Sequence, residues 1–417
     1  MGMRLGKRVA ICAIALWVLM VGRSDAQSGA KAHWIGSWAA SQQIPETANL
    51  LDPELMRDGT LREIVHLSVG GTQLRVRVSN AFGTQPLHLT AVHVARPVSA
   101  AEGAIEAASD TAVMFGGLPD VTIPAGAEYV SDEVTFSAAA LSSLAISIHY
   151  DEPPVGETGH PGSRATSYVA HGDLVSAVDL PDAKNVEHWY QISGVDVVGV
   201  EKAGAVVALG DSITDGHGAT TDGNDRWTDV LAARMQGDKS TRGTGVLNEG
   251  IGGNRLLLDG LGPNALARFD RDVIAQTAVR CVIVLEGIND LGTLTRDHDA
   301  SAEAHAALVK RMEGAYAQMI ARAHAHGIRV IGATILPDGG SKYYHPGPES
   351  EADRQAVNAW IREPGHFDGV VDFDKLMRDS ANPNLILPAY DSGDGLHPSP
   401  AGYRAMADAI PLKLLVP

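Results

Sequence analysis

Four short segments carry residue types suited to acyl transfer. Gly210-Asp211-Ser212-Ile213-Thr214-Asp215-Gly216 directly follows the apolar run Ala205 to Leu209. A serine just past a strand end, beside glycines that let a substrate approach the backbone, is placed as a nucleophile. Near the other end stands Asp394-Gly395-Leu396-His397-Pro398. Its spacing lets a carboxylate in a turn reach back to the imidazole and hold one tautomer, so that the other ring nitrogen faces the serine as its base. Glu286-Gly287-Ile288-Asn289-Asp290 follows a second apolar run and projects the Asn289 carboxamide toward the same crevice. Asn248-Glu249-Gly250-Ile251-Gly252-Gly253-Asn254 supplies flexible backbone whose amides can point at one oxygen, as an oxyanion requires. Taken singly, each has a plainer reading: a serine helix cap, a capping turn before Ser399-Pro400, an asparagine in a turn, a glycine loop.

Their order along the chain is what joins them. Gly-Asp-Ser after one strand, a glycine-rich loop, Asn-Asp after a middle strand and Asp-x-x-His before the last helix together resemble the GDSL or SGNH hydrolase superfamily, over roughly residues 204 to 412. The resemblance implies that Ser212 is the nucleophile, that Gly253 and Asn289 join the Ser212 amide in an oxyanion hole, and that His397 with Asp394 forms the base. Ile213 stands where the family signature has Leu, with no chemical role at stake, and Gly252 fits the motif beside Gly253. The implied reaction is hydrolysis of a carboxylic ester through an acyl-enzyme, without a cofactor. An ordinary α/β-hydrolase is disfavoured because the chain has no Gly-x-Ser-x-Gly elbow.

These residues need strand ends to hold them. Ala205 to Leu209, Val279 to Leu285, Ile328 to Ile335 and Gly369 to Phe373 are compact apolar strands, with helical stretches near Trp227 to Met235, Ala302 to His326 and Ser350 to Arg362. The alternation predicts an α/β domain over 204–417, a flavodoxin-like parallel sheet with helices on both faces and the chemistry at the strand ends. Residues 31–200 read differently, as an all-β sandwich of short alternating runs, with Ile64 to Val69 and Leu74 to Val78 forming a hairpin around Gly70-Gly71-Thr72. Opening with His33-Trp34-Ile35-Gly36-Ser37-Trp38, this part is similar to the N-terminal region of secreted bacterial two-domain members of the superfamily. Its Trp34, Trp38 and Trp189 suit core packing better than sugar stacking. The loop Gly339 to Gly347 follows a strand end and brings Tyr343 and Tyr344 as candidate crevice-lining residues.

Composition narrows the partners. With 417 residues, 45% apolar and a formal charge of -17, the chain can bury a sizeable core and is ill suited to nucleic acid. Arg4, Lys7 and Arg8 precede an apolar run from Val9 to Val21 and then Ser24-Asp25-Ala26, the pattern of an export signal cleaved after residue 26. A membrane anchor is the alternative, though the run falls short of the ~20 residues a spanning helix needs. Cleavage removes Cys12 and leaves Cys281 as an inert thiol in a buried strand. No Cys-x-x-Cys or His-Glu-x-x-His occurs, and Asp222, Asp225 and the scattered histidines form no tight ligand set, so no metal is expected. The expected substrate is a small-molecule or carbohydrate ester with a short acyl group on a neutral alcohol, the polar loops beside Ser212 and Gly253 offering no sheath for a fatty chain. A lipase or lysophospholipase on longer chains, and an adhesin-like carbohydrate-binding protein with an inactive hydrolase domain, are the rival readings. Nothing in the sequence assigns an oligomeric state.

Overall fold

The computed structural model describes residues 1, 2 and 32–416, so most of the expected leader, with Cys12, lies outside the described residues. Residues 33–417 form one compact unit. Its C-terminal part is a five-stranded sheet in the spatial order Gly245–Gly250, Ala205–Gly210, Val279–Leu285, Arg329–Ala333, Gly369–Val371, every pair parallel. In chain order that is 2-1-3-4-5, the flavodoxin-like winding, whose order reverses beside the first strand. The strand cores, Val206 to Leu209 and Val282 to Leu285, are fully buried. Helices on both faces exclude water there, which is why these runs are apolar without alternation. Helix Trp227–Gly237 packs on Pro400–Ala409, and Ala302–Ala325 on Pro348–Arg362.

The first strand in this order was not visible in the sequence, where Asn248 to Gly250 reads as flexible loop. Gly245–Gly250 is a strand whose polar positions are held internally: Asn248 Nδ2 donates to Thr214 O (2.7 Å) and Thr228 Oγ1 (3.0 Å), and Glu249 is buried.

The N-terminal part is built of two main antiparallel sheets. One has the order Lys184–Val186, Ser167–His171, Gly59–Leu67, Ser142–Tyr150, Ala91–Ala95, Thr111–Val113; the other runs Trp34–Ala39, Ile192–Val198, Gly71–Ser79, Glu128–Val130, with Val134–Ala138 also on Gly71–Ser79. Leu61, Val65 and Leu67 of the first join Leu74, Val76 and Val78 of the second in the main core, while Ile64 faces a smaller cluster with Ala145 and Tyr168. This period-two division is the sandwich pattern. The expected hairpin at Gly70-Gly71 is not formed, because Gly59–Leu67 and Gly71–Ser79 belong to different sheets. Alternation in two successive runs is equally satisfied when the chain crosses from one layer to the other, since both present an apolar face to the same core. Trp38 and Trp189 are buried edge to face, 4.9 Å between centroids, and Trp34 lies under the Arg75 guanidinium.

The sandwich covers the open edge of the parallel sheet. Strand Trp34–Ala39 packs on Gly245–Gly250 so closely that a Cβ on Gly245 would strike the Gly36 carbonyl. Gly36 N–H donates to Thr277 O (3.1 Å) and Val246 N–H to Ser68 Oγ (2.9 Å), satisfying edge groups that would otherwise be exposed.

Candidate active site

Strand Ala205–Gly210 ends in Asp211, whose carboxylate accepts the Ile213 N–H (2.9 Å) and caps the single turn Ser212–Asp215. Ser212 thereby stands at the carboxyl edge of the sheet. His397 arrives from the other end of the chain, and its Nε2 lies 2.8 Å from Ser212 Oγ. The Asp394 carboxylate accepts from His397 Nδ1 (2.6 Å), from the His397 amide (2.8 Å) and from the Leu396 amide (2.9 Å). Nδ1 is thus the protonated nitrogen, and Nε2 is left to accept the serine proton. Partial burial works against the Asp394 carboxylate, but the hydrogen bonds from His397 outweigh it and hold its pKa below the usual carboxylate range.

Asn289 begins a helix after strand Val279–Leu285, on the other side of the sheet's first strand. Its Oδ1 accepts from Tyr344 Oη (2.7 Å), which commits Nδ2 to the donor role. One Nδ2 hydrogen goes to Asn254 O (2.7 Å), and no acceptor among the described residues takes the second. Asp290 accepts the Leu256 and Leu257 amides (2.7 and 3.1 Å) and so anchors the glycine loop to the same helix. Gly253 is in the left-handed region at φ 71°, and a Cβ there would collide with the Leu261 side chain. The Gly252 and Gly253 amides make no hydrogen bond to a described residue, so both remain available to an anionic oxygen.

Ser212, Gly252, Gly253, Asn289, Asp394 and His397 line one open cleft of about 770 Å³. Tyr343 and Tyr344 line it too, in different ways. Tyr344 is buried and orients Asn289 from behind, whereas Tyr343 is exposed and its hydroxyl accepts from Arg296 (2.8 Å). Asp222 and Asp225 brace loops instead, accepting from Thr166 and Thr220. Among the described residues, the histidine and carboxylate atoms close enough to share a cation are those of His217, Asp394 and His397, within 4.8 Å of one another. Two of the three already hold the serine relay.

Several site residues escaped the sequence reading. His217 lies against His397, 4.1 Å between ring centroids, with Nε2 3.9 Å from Asp394. Burial, with the neighbouring His397 and Arg164, pushes its pKa down to about 4, so the ring is neutral and its Nδ1 accepts from Arg164 Nη2 (3.2 Å). Gly216-His217-Gly218 after the nucleophile turn was the one available signal. The sandwich supplies a wall of the cleft through Gln43, Glu46, Pro161 and Arg164. It also clamps the nucleophile turn, where His160 Nε2 faces Asp215 Oδ1 (2.9 Å) and His160 Nδ1 faces Ser41 O (2.8 Å); from the α/β part itself, Arg226 Nε donates to Asp215 O (2.8 Å). Beneath these, burial raises the Asp211 carboxyl to about 7, and the fully buried Arg268 guanidinium donates to Gly210 O (2.8 Å), Glu249 O (2.7 Å) and Asn254 Oδ1 (2.9 Å). One cation thus ties two strand ends and the glycine loop together.

A nucleophile, its base and carboxamide and amide donors on one cleft form the set that ester cleavage needs. Comparison with curated proteins gives no match. Among solved structures, a GDSL-like lipase from Bacteroides thetaiotaomicron is 23% identical, covering 50% of this chain and 87% of its own at a TM-score of 0.37. A catalytic mutant of an acetylxylan esterase from Geobacillus stearothermophilus is 24% identical, covering 51% and 93% at 0.38. The GDSL-like lipase/acylhydrolase family model matches residues 208–405. That span holds every element of the cleft described above except the sandwich wall, and residues 208–405 are therefore a GDSL-like lipase/acylhydrolase domain, the part of the chain that makes it a carboxylic ester hydrolase.

Proposed function

We propose that the protein is an exported serine esterase that removes short acyl groups, acetate to butyrate, from a hydroxylated alcohol such as a sugar. Ser212 attacks the ester carbonyl while His397 takes its proton, and the same histidine then protonates the departing alcohol. Asn289, a glycine amide and the Ser212 amide receive the oxyanion. Water, activated by His397, hydrolyses the acyl-enzyme. The observation that carries this reading is the continuous relay from Ser212 to Asp394, 2.8 and 2.6 Å, opening on a cleft lined mainly by polar residue types. Leu261, Leu396 and Pro161 are its aliphatic lining residues, set apart from one another by polar side chains in the sequence, with the Tyr343 and Tyr344 rings beside them. Export rests on the N-terminal sequence pattern.

Ser212→Ala is expected to abolish ester hydrolysis with Tm unchanged, since no neighbouring hydroxyl reaches His397. For the wild type, kcat/KM across acyl lengths from two to sixteen carbons is expected to peak at four or fewer. A maximum at eight or more would make the protein a lipase. An N-terminus at Gln27 in material collected outside the cytoplasm is the expected outcome for export.

A further inference from the structure

A chain with a formal charge of -17 has cations gathered at its catalytic cleft. Arg164, Arg255, Arg296 and Lys342 line it together with the carboxylates Glu46, Asp215 and Asp394. Asp215 is engaged by His160 and Asp394 by His397, while Arg296 is held by Asp297 (3.0 Å). Arg164, Arg255 and Lys342 have no carboxylate in ion-pair reach among the described residues. Arg255 binds the Asp259 carbonyl, Lys342 Nζ donates to Gly393 O (3.3 Å), and Arg164 donates to His217.

Arg164 is the most constrained of these. Its backbone sits in the left-handed region at φ 47° without being glycine, a conformation that persists only where neighbours hold it. They do: Ser163 O accepts from Arg226, Arg164 O accepts the Asp222 amide (2.9 Å), and Thr166, two positions on, is fixed by Asp222. Arg164 Nε is buried without an acceptor among the described residues. The guanidinium as a whole lines the cleft, and its side-chain partner among the described residues is the neutral His217 ring, so a carboxylate or phosphate oxygen in the cleft would be its first anionic partner.

Its position defines which end of the substrate supplies that acceptor. Arg164 reaches His217, His217 lies on His397, and His397 is the group beside the departing alcohol oxygen. Lys342 lies on the same side, its amide on Asp394 O (3.4 Å) and its ammonium on Gly393. The oxyanion donors Asn289 and Gly253 belong to other strand ends.

We propose that the alcohol portion of the substrate carries an anionic group on the same sugar ring as the ester, and that Arg164, supplied by the sandwich, with Lys342 receives it. This rests on the ester-hydrolase reading and replaces the neutral alcohol expected from the sequence. Local field, set by the nearest groups in the cleft, governs recognition over the distances involved, whereas the charge on the rest of the chain is screened by salt beyond about 10 Å.

The test uses three probes with one acetyl ester each: 4-O-acetyl methyl glucoside, the corresponding glucuronide and the corresponding glucoside 6-phosphate. With the full chain at low salt, at least one anionic probe is expected to exceed the neutral one by about tenfold in kcat/KM, mostly through KM, the worth of one charge-assisted hydrogen bond. The better of the two identifies the anion as carboxylate or phosphate. Arg164→Gln and, separately, Lys342→Gln are expected to lower the anionic-to-neutral ratio, Arg164→Lys to restore part of it, and added NaCl to shrink it in the wild type. Lys342 is exposed, so its variant keeps the test open if Arg164→Gln fails to fold. Equal kcat/KM on all three probes, or a ratio unchanged in both variants, overturns the proposal while leaving ester hydrolysis standing. Hydrolysis of none overturns the underlying reading instead.

Discussion

Asn289 shows how the donor end of one side chain is fixed toward the cleft. A carboxamide can present oxygen or nitrogen, and the Tyr344 hydroxyl on Oδ1 decides the matter by claiming the acceptor end. Asn289→Ala is expected to lower kcat by roughly 100- to 1000-fold with KM little changed, the usual cost of losing one preorganised oxyanion donor. An unchanged kcat would mean that the carboxamide faces elsewhere. His217 sets a second expectation. The serine relay works only with neutral His397, so activity falls as pH falls and the base takes up a proton. Because burial, with the neighbouring His397 and Arg164, pushes His217 down to about 4, that ring stays neutral above about pH 4. A plot of log kcat/KM against pH is therefore expected to descend with slope one until about pH 4. A slope of two would show both imidazoles protonating together. EDTA is expected to leave the profile as it is.

Among the elements, the turn Ser212–Asp215 is too short to stabilise itself, one helical turn being worth less than its nucleation costs. Its place is set by the strand before it and by contacts at its far end. There His160 bonds at both ring nitrogens, to the Ser41 carbonyl and to the Asp215 carboxylate. Such a pair adds little net stability, but breaking it strands a buried carboxylate. His160→Leu is expected to destabilise the fold by about 3–5 kcal/mol. Where the variant still folds, kcat should fall as well, since the turn that carries Ser212 loses its anchor. Denaturant unfolding and single-turnover kinetics together check this, and a variant as stable and fast as wild type would show the clamp to be idle. Arg268 acts on the opposite side of the same strand end, where its buried guanidinium converts three backbone and side-chain acceptors into one rigid node.

At the scale of the molecule, the sandwich is part of the catalytic unit. It closes the sheet edge at Gly245–Gly250, bonds Asp215, and supplies Gln43, Glu46 and Arg164 to the cleft. Residues 204–417 expressed alone would expose Val246 and Leu247 and leave Asp215 without His160. That fragment is expected to aggregate, or to stay soluble with kcat/KM at least about tenfold below residues 32–417, the same order as one lost interaction at the reacting group. Size-exclusion chromatography and kinetics on both chains decide it, and an active monomeric fragment would show the two layers to be independent.

The grouping of the candidate site residues was legible in the sequence because each depends on short-range geometry. Asp394 reaches His397 across three residues, and Ser212 and Asn289 each follow a run apolar enough to announce a buried strand end. The parallel sheet was legible for the same reason, except where a polar edge strand, Gly245–Gly250, concealed its pattern. What only the tertiary structure decided are the pairings made across long stretches of chain: Arg164 with His217, His160 with Asp215, Tyr344 with Asn289, and the crossing at Gly70-Gly71 from one sheet to the other. Those contacts join segments whose local sequences satisfy turns and strands of many kinds. Their selection comes from burial in a shared core and from hydrogen-bonding groups that must find partners once water is excluded, and neither constraint exists until the layers have come together.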